Sequence, residues 1–424
     1  GAGAYVLVRA DRAKNMKQKP GLLFIINELA TGGAETYLVR LAEKLQIDFT
    51  ISVLTFMSYN NDDAFIKMMR DRVNFSLIEY PLQNPKGFRN WLFWKINALF
   101  SKFGKKGLYV KLRDRHKRIQ LGKTLRKKGI KVCMTSSGSS DFFSAHYLKK
   151  HYNLPIVLTM HSSYNKENWH VLGNKETFFD WSQSIFENVD FIFYTADYNY
   201  NIFNEINISK LPRREKLHMG YEPKIAHSIR DTYSISKDAF VCTMFARGVV
   251  EKGWEQAIDA FLILLKNHPN SYLFLLAPNT DYMKSLKEKH SDNNHIIFTG
   301  YISEPENYIF SSDCTMLPSY YPESLPNSVI ESLAYGKPVL VTDVADTKKM
   351  IESETGDAGY IIPYTSEKVA DVLILAQQLM SLIQNPLILH EKQENAKKAF
   401  QKFSLEKSVQ RYKEVFNELI YDKI

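Results

Sequence analysis

The sequence predicts an α/β protein built from two doubly wound parallel sheets. Short, continuous apolar runs rich in β-branched residues alternate with helical patterns in both halves of the chain, and such runs are typical of strands buried on both faces. The chain has 424 residues, enough for two domains of ~100–200 residues each. Hydrophobic residues make up 45% and charged residues 24%, which excludes a disordered or collagen-like chain.

Each predicted element follows from its local pattern. The predicted strands of the first half are Leu22–Ile26, Ile51–Phe56, Val132–Thr135, Ile156–Met160 and Phe191–Tyr194. Those of the second half are Val241–Phe245, Tyr272–Ala277, Ile296–Phe298, Thr315–Leu317 and Val339–Thr342. Helical patterns lie at Glu35–Leu45, Glu255–Lys266, Asn327–Tyr335 and Leu405–Ile424. Strands joined by such helices form βαβ units with parallel pairing.

Domain boundaries are expected where polar residues interrupt this pattern. We expect residues 1–15 to derive from an expression vector, because the chain begins with Gly and Met16 resembles a natural start. A polar stretch containing prolines separates a first domain, predicted over 16–215, from a second over 225–400. The three cysteines are far apart, a pattern that indicates neither a disulfide framework nor a zinc ribbon and favours a reducing compartment. No apolar run approaches the ~18 residues of a membrane span.

Positive charge is concentrated in one segment, residues 86–128. It contains fifteen Lys and Arg residues and one acid, whereas the whole chain has a formal charge of +9. Its apolar residues follow the spacing of one helix face, a combination typical of a helix at a membrane interface. The residues expected to contact lipid are Trp91, Trp94, Phe100, Lys102, Lys105 and Lys106. A core helix followed by a solvated basic helix is the alternative, and we expect no nucleic-acid partner because no nucleic-acid motif accompanies the charge.

Two motifs follow predicted strands and open predicted helices. In Gly32-Gly33-Ala34-Glu35, glycines let the backbone approach a ligand and the helix start attracts an anion, although a tight turn would also explain them. Glu323 and Glu331 are separated by seven residues, with Ser324, Leu325 and Asn327 between them. A sugar nucleotide needs acceptors for hydroxyls and N–H donors for its diphosphate. Carboxylates and a helix start supply both.

Three further side chains follow strands and carry the remaining candidate chemistry. Arg247 and Lys252 lie in a glycine-bounded loop, where both could bind a diphosphate and neutralise the charge that develops as the sugar departs. An ordinary surface loop is the alternative. His161 ends a strand and could hydrogen-bond a sugar or act near the reacting centre, although strand-end histidines are more often structural. No D-x-D motif is present, so we expect no metal bridge to the diphosphate.

Together these motifs resemble the retaining GT-B glycosyltransferases of sequence family four, the group 1 glycosyltransferases. The resemblance runs from about residue 21 to the C-terminus and is strongest at 247–253 and 318–343. It implies a GT-B fold with two Rossmann-like domains facing a cleft, in which the final helix returns to the first domain. It also implies that Glu323 binds the sugar, Arg247 and Lys252 hold the diphosphate, and Glu331 holds the ribose. The chain departs from the family pattern at Ala246, at Ala277-Pro278-Asn279 and at Met219-Gly220.

The resemblance therefore predicts a metal-independent enzyme that moves a hexose or N-acetylhexosamine from a UDP-sugar with retention of the anomeric configuration. We expect this enzyme to need no cofactor. The expected acceptor is an amphiphilic, lipid-linked or cell-surface glycan, and the expected location is the cytoplasmic face of the plasma membrane. Catalytic roles are predicted for Glu323, His161, Arg247 and Lys252. Donor binding is predicted for Gly32, Gly33, Arg247, Lys252, Glu323, Ser324, Leu325, Asn327 and Glu331. A nucleotide-sugar epimerase and a non-catalytic nucleotide-sugar-binding protein at the membrane surface are the alternatives.

Overall fold

The computed structural model consists of two large parallel sheets with helices packed on them. It describes residues 19–29, 33–59, 63–80, 108–136, 138–161, 175–206, 211–302, 304–321 and 324–421. The arrangement confirms the predicted fold class, an α/β chain with two doubly wound parallel sheets. We call the first sheet with its helices the N-terminal domain and the second the C-terminal domain.

The N-terminal domain is built on a seven-stranded sheet. Its strands are β1 (Gly21–Ile26), β2 (Thr50–Thr55), β3 (Phe75–Glu79), β4 (Ile130–Thr135), β5 (Ile156–Met160), β6 (Phe191–Tyr194) and β7 (Arg213–Lys216). They pair in parallel in the order β3-β2-β1-β4-β5-β6-β7. The central strand β1 is buried along its whole length, as its continuous apolar run predicts. The edge strands β3 and β7 lie outside the predicted strands because neither has such a run.

Helices cover both faces of this sheet. They are α1 (Gly33–Leu45), α2 (Ala64–Arg72), α3 (Leu108–Lys127), α4 (Gly138–Phe143), α5 (Lys149–Tyr152), α6 (Lys175–Phe186), α7 (Asp197–Tyr200) and α8 (Ile202–Glu205), with a π-helical turn at Ser144–Leu148. Alternate residues of β1 enter different cores, since Leu22 packs with residues of α1 and Leu23 with residues of α6. That alternation follows from the two-residue period of a strand.

The C-terminal domain is built on a six-stranded parallel sheet. Its strands are β8 (Phe240–Phe245), β9 (Ser271–Leu276), β10 (Ile296–Phe298), β11 (Cys314–Leu317), β12 (Val339–Thr342) and β15 (Gly359–Ile362), and a separate hairpin joins β13 (Glu352–Ser353) to β14 (Gly356–Asp357). The order is β10-β9-β8-β11-β12-β15, the order of a Rossmann sheet. The strand order reverses between β8 and β11, where sheets of this kind bind ligands outside their carboxyl ends.

The last helix of the C-terminal half is a long one. They are α9 (Trp254–Asn267), α10 (Asp281–Lys289), α11 (Glu306–Ser311), α12 (Asn327–Ala334), α13 (Thr347–Ile351), α14 (Val372–Gln384), α15 (Pro386–Phe400) and α16 (Leu405–Tyr421), with 3₁₀ turns at Val250–Lys252 and Gln401–Phe403. In the described ranges no single helix is long and apolar enough to cross a membrane. The pair α14 and α15, with the 3₁₀ turn that follows it, meets that criterion only together and is bent by 102°.

Helix α16 packs on the N-terminal domain. Its Tyr412 is buried, and the Tyr412 hydroxyl lies 3.0 Å from the Thr159 hydroxyl of β5. The Tyr412 ring centroid lies 4.6 Å from that of Phe193 on β6. Arg411 binds Glu215 of β7, with a shortest separation of 2.7 Å between Nη2 and Oε2. Apolar and charged contacts therefore attach the end of the chain to the first sheet.

A second polar contact joins the domains near the cleft. The Asp346 carboxylate of the C-terminal domain accepts hydrogen bonds from the backbone N–H groups of Asp197 and Tyr198, at 2.6 and 3.1 Å. Asn199 Nδ2 donates to the Ser324 hydroxyl at 2.9 Å, and both side chains are buried. The start of α7 is thus held by the C-terminal domain through hydrogen bonds that the opening of the cleft would break.

Candidate active site between the two sheets

A cavity of about 350 Å³ lies between the carboxyl edge of the second sheet and the start of α1. Its lining residues are Gly33, Thr36, Phe245, Ala246, Arg247, Lys252, Leu276, Ala277, Pro278, Tyr301, Ile302, Pro305, Leu317, Pro326, Asn327, Ser328 and Glu331. They come from the ends of β8, β9 and β11, from the first turns of α12 and, in the N-terminal domain, from α1. The cavity therefore occupies the point at which the strand order reverses, between two domains.

Arg247 and Lys252 form the basic side of the cavity. Arg247 follows β8, and its backbone carbonyl accepts a hydrogen bond from the Trp254 indole N–H at 3.1 Å. Lys252 ends a 3₁₀ turn at Gly253, which has a φ of 80°. A Cβ at this position would lie 2.2 Å from the Pro318 carbonyl oxygen, so both the backbone angle and the close contact require glycine. This glycine lets the chain turn so that the two cations share one cavity wall.

Lys252 is a cation in a poorly solvated position. Its side chain is buried, and burial, assisted by the positive charge of Arg247, lowers the pKa of Lys252 to about 8. The aromatic ring of Tyr321 lies 5.7 Å from Lys252 Nζ and 6.0 Å from Arg247 Cζ. An anion in the cavity would favour the charged form and offset the cost of burying it. The basic side is therefore suited to an anionic group.

Two helices begin at the cavity. Asn327 and Ser328 form the first turn of α12, and Gly33 begins α1 on the opposite side. First-turn N–H groups lack intrahelical partners and carry the positive end of the helix dipole. A Cβ at Gly33 would lie 3.1 Å from Asn327 Nδ2, so a larger residue would press on this amide. Glycine thus allows the two helix starts to approach each other across the cleft.

Glu331 supplies the carboxylate of the cavity. It lies about one turn into α12, and its Oε1 accepts a hydrogen bond from Arg40 Nη2 of α1 at 2.9 Å. Burial raises the pKa of Glu331, and the charge of Arg40 opposes that shift. The second carboxylate oxygen retains lone pairs for a ligand hydroxyl.

Other predicted donor-binding residues lie beside the cavity rather than in its wall. The Ser324 hydroxyl accepts the hydrogen bond from Asn199, so it serves the contact between domains. Leu325 is buried in the hydrophobic core. Both belong to the loop that leads into α12 and support the position of Asn327, which does line the cavity.

His161 lies at the end of β5, outside the cavity lining. Its Nδ1 is 3.2 Å from Met219 Sδ, and its ring meets the Tyr37 ring edge-on with a centroid distance of 5.6 Å. Burial lowers the pKa of His161 to about 4, so the imidazole is neutral at pH 7. The structure therefore places His161 between α1 and the connection that follows β7.

Comparison with known proteins finds a family similarity in the second half of the chain. The family model "Glycosyl transferases group 1" matches residues 227–403, a range that covers the C-terminal sheet and most of the cavity lining. Over these residues the chain is similar to the group 1 glycosyltransferases. An uncharacterised glycosyltransferase of Methanocaldococcus jannaschii is 30% identical over 112 residues, which is 26% of this chain and 27% of that protein. The match thus spans about a quarter of the length of this relative.

Solved glycosyltransferases share the architecture of both domains. HepE of Anabaena, in complex with UDP, has a TM-score of 0.71 and 16% identity, with 94% of this chain and 100% of HepE covered. Sucrose-phosphate synthase of Thermosynechococcus elongatus has a TM-score of 0.69 and 18% identity, with 95% and 100% covered. At such identities the similarity establishes the fold alone, which is GT-B.

Several predicted site residues lie outside the described residues. They are Gly32, Glu323 and the six residues expected to contact lipid, Trp91, Trp94, Phe100, Lys102, Lys105 and Lys106. Within the described ranges, no group of three or more His, Cys, Asp or Glu side chains could hold a metal ion. The predicted site residues that the structure places in the cavity wall are Gly33, Arg247, Lys252, Asn327 and Glu331.

Arg40 and Thr36 are site residues that the motif analysis missed. With Gly33 they lie at positions i, i+3 and i+7 of α1 and so occupy one helix face. That spacing is visible in the sequence, but Thr36 is uncharged and Arg40 resembles an ordinary surface cation. Only the fold shows that this face of α1 opposes the C-terminal domain.

Proposed function

We propose that the chain is a glycosyltransferase that moves a hexose or N-acetylhexosamine from a UDP-sugar to a glycan acceptor. The observation that carries this proposal is the convergence of Arg247, Lys252, two helix starts and Glu331 on one cavity between the domains. Such a set combines donors for a diphosphate with an acceptor for hydroxyls. HepE of Anabaena, which shares the fold, has been solved with UDP and with UDP and glucose, and this supports a UDP-sugar as the donor.

The residues of the cavity take separate roles in this proposal. Arg247, Lys252 and the start of α12 bind the diphosphate and stabilise the negative charge that grows on it as the glycosidic bond breaks. Their positive charge serves where a metal ion would otherwise be needed, so we expect transfer without a metal or other cofactor. Glu331 accepts hydrogen bonds from the ribose. Glu323, which lies outside the described residues, binds the sugar. His161, at the end of β5, hydrogen-bonds the sugar or acts near the reacting centre.

The apolar side of the same cavity suits the nucleobase. Leu276, Ala277 and Pro278 form one stretch of wall, and Tyr301 and Ile302 form another. The ring faces of a planar base lose little solvation when they enter such a slot, whereas a sugar has hydroxyls around its ring that would be left unpaired there. We therefore expect the base on this side and the sugar toward Gly33.

We further propose an amphiphilic acceptor at the cytoplasmic face of the plasma membrane. The described part of the basic segment includes α3, on which Lys123, Arg126 and Lys127 are exposed. Each cation near an anionic leaflet contributes roughly 1 kcal/mol of attraction. A lipid-linked or cell-surface glycan would reach the cleft most readily at such a surface.

Turnover and product stereochemistry test the enzymatic proposal. The purified chain is expected to bind UDP, to hydrolyse a UDP-sugar slowly and, with an acceptor, to form a glycosidic bond with the anomeric configuration of the donor. NMR of the product anomer decides the stereochemistry, and an inverted product would contradict retention. An isomerised UDP-sugar formed without acceptor would instead indicate an epimerase, and UDP binding without any turnover would indicate a non-catalytic binding protein.

Vesicle binding tests the membrane proposal separately. The chain is expected to bind anionic phospholipid vesicles, and added salt should weaken the binding because it screens the charges. Replacing Lys123, Arg126 and Lys127 with glutamine, or Trp91 and Trp94 with alanine, should reduce it. A matched control removes the same charge from α10, where Lys284, Lys287 and Lys289 are exposed. Equal binding by the α3 and α10 variants would contradict a specific membrane role for α3.

A further inference from the structure

Helices α1 and α12 contact each other at two points across the cleft. At their starts Gly33 faces the Asn327 amide. About two turns along α1 and one turn along α12, Arg40 forms an ion pair with Glu331, with Nη2 and Oε1 2.9 Å apart and the side chains only 16% and 12% exposed. These residues are 291 positions apart in the chain. The carboxylate that lines the cavity is thus held by the other domain.

Arg40 is itself held in place. Its guanidinium carbon lies 4.7 Å from the centroid of the Tyr221 ring, and Tyr221 belongs to the connection between domains, where its N–H donates to the Phe403 carbonyl at 2.8 Å. A stacked guanidinium loses little further freedom when it binds a carboxylate. The connection between the domains, helix α1 and helix α12 therefore all contact the guanidinium group of Arg40.

We propose that Arg40 is a positioning residue, which orients the Glu331 carboxylate in the cavity so that nucleotide binding depends on contact between the two domains. This inference rests on the proposed function, in which Glu331 accepts hydrogen bonds from the ribose. Arg40 occupies Oε1 and leaves Oε2 for a hydroxyl. When the domains separate, Glu331 loses its partner, and the nucleotide site is incomplete.

The charges around Glu331 make its ionisation sensitive to Arg40. Glu306 of α11 is a second carboxylate nearby, Lys224 of the domain connection is a second cation, and the Tyr221 and Tyr335 phenols adjoin the same group. Lys224 is itself bound to Glu306, with Nζ and Oε1 3.0 Å apart. Without Arg40, the pKa of Glu331, already raised by burial, rises further. Nucleotide affinity would then fall on acidification at a higher pH than in the wild type.

Calorimetric titration with UDP between pH 6 and pH 8 tests this role. Arg40→Met is expected to weaken UDP binding about tenfold at pH 7 and to make the affinity fall on acidification at a higher pH than in the wild type, whereas Arg40→Lys should restore part of it. Glu331→Gln should weaken binding similarly, and adding Arg40→Met to it should cost little more. Arg72→Met is the matched control, because it also removes an arginine that pairs with a glutamate. Arg72 pairs with Glu43 of helix α1, and neither residue lines the cavity, so this variant should bind UDP like the wild type.

The outcomes separate this inference from the proposed function. If the wild type binds UDP and both Arg40 variants bind it with unchanged affinity and pH dependence, Arg40 does not position Glu331, although the proposed function stands. If the losses of UDP affinity caused by Arg40→Met and Glu331→Gln add fully in the double variant, the two residues act independently. That result would also contradict the positioning role of Arg40 and leave the proposed function standing. If the folded wild type binds neither UDP nor any other nucleoside diphosphate, the proposed function fails, and this inference fails with it.

Discussion

Replacing Lys252 with methionine is expected to lower turnover of a UDP-sugar on the order of 10²–10³-fold, the usual cost of removing one group that stabilises charge in the transition state. Methionine keeps most of the length and packing of the lysine stem, so the change removes chiefly the charge. Lys252 is buried on the cavity wall beside Arg247, so its loss would leave Arg247 as the remaining cation of this wall. Steady-state kinetics measures the effect.

The lowered pKa of Lys252 adds a pH dependence to this prediction. Its folded-state pKa is about 8, so the ammonium is present below that value and is lost as the pH rises through it. Affinity for UDP should therefore be nearly full near pH 7 and should fall toward pH 9.5. Lys252→Arg should bind UDP without this alkaline fall, because arginine stays charged. An affinity that is flat over this range in the wild type would contradict the assignment.

Lys337 provides a matched control for Lys252. It is half-buried, whereas Lys252 is buried, but it too is a lysine of the C-terminal domain whose pKa is lowered by burial. It lies near Phe310, outside the cavity lining. Lys337→Met is expected to leave UDP affinity and turnover unchanged. Comparable losses in both variants would mean that any buried lysine matters for the stability of the domain, and that Lys252 has no special role.

The central strands of both sheets could be predicted from the sequence because burial on both faces requires a run of apolar residues within the strand itself. A strand buried on both faces consists mostly of consecutive apolar residues, as in Leu22–Ile26 of β1 and Val339–Val341 of β12. Edge strands do not meet that requirement. β7 reads Arg213-Arg-Glu-Lys216, and its pairing with β6 depends on backbone hydrogen bonds that leave no mark in the side-chain pattern. Its place in the sheet is set by tertiary contacts such as that of Arg411 with Glu215.

The candidate site could be predicted only in part, for a related reason. Arg247 and Asn327 follow strands, and the strand order of a Rossmann sheet brings such loops together. The pairing of Arg40 with Glu331 depends on how two domains face each other, and no local spacing encodes that. Ser324 is predicted to bind the donor because it lies within a motif. Its hydroxyl instead accepts a hydrogen bond from Asn199 of the other domain. Motifs thus locate a site, while the interdomain geometry decides which of their residues line it.

Replacing Tyr412 with alanine is expected to lower the free energy of unfolding by about 3–5 kcal/mol, the range for deleting a large buried aromatic side chain. Tyr412 is 1% exposed and packs against Phe193 of the N-terminal sheet and Phe416 of its own helix. The substitution leaves a cavity at the contact that attaches α16 to the first sheet. Urea unfolding followed by circular dichroism measures the change.

Two variants distinguish packing from other effects of Tyr412. Tyr412→Phe keeps the ring and removes the hydroxyl near Thr159, so it should cost about 1 kcal/mol, the usual net value of one hydrogen bond. Tyr421 lies at the end of the same helix and is 63% exposed, so Tyr421→Ala should change stability by less than about 0.5 kcal/mol. A Tyr412→Ala protein as stable as Tyr421→Ala would show that α16 contributes little to joining the domains. If α16 does join them, Tyr412→Ala should also weaken UDP binding, because a loosened N-terminal domain no longer holds Arg40 against Glu331.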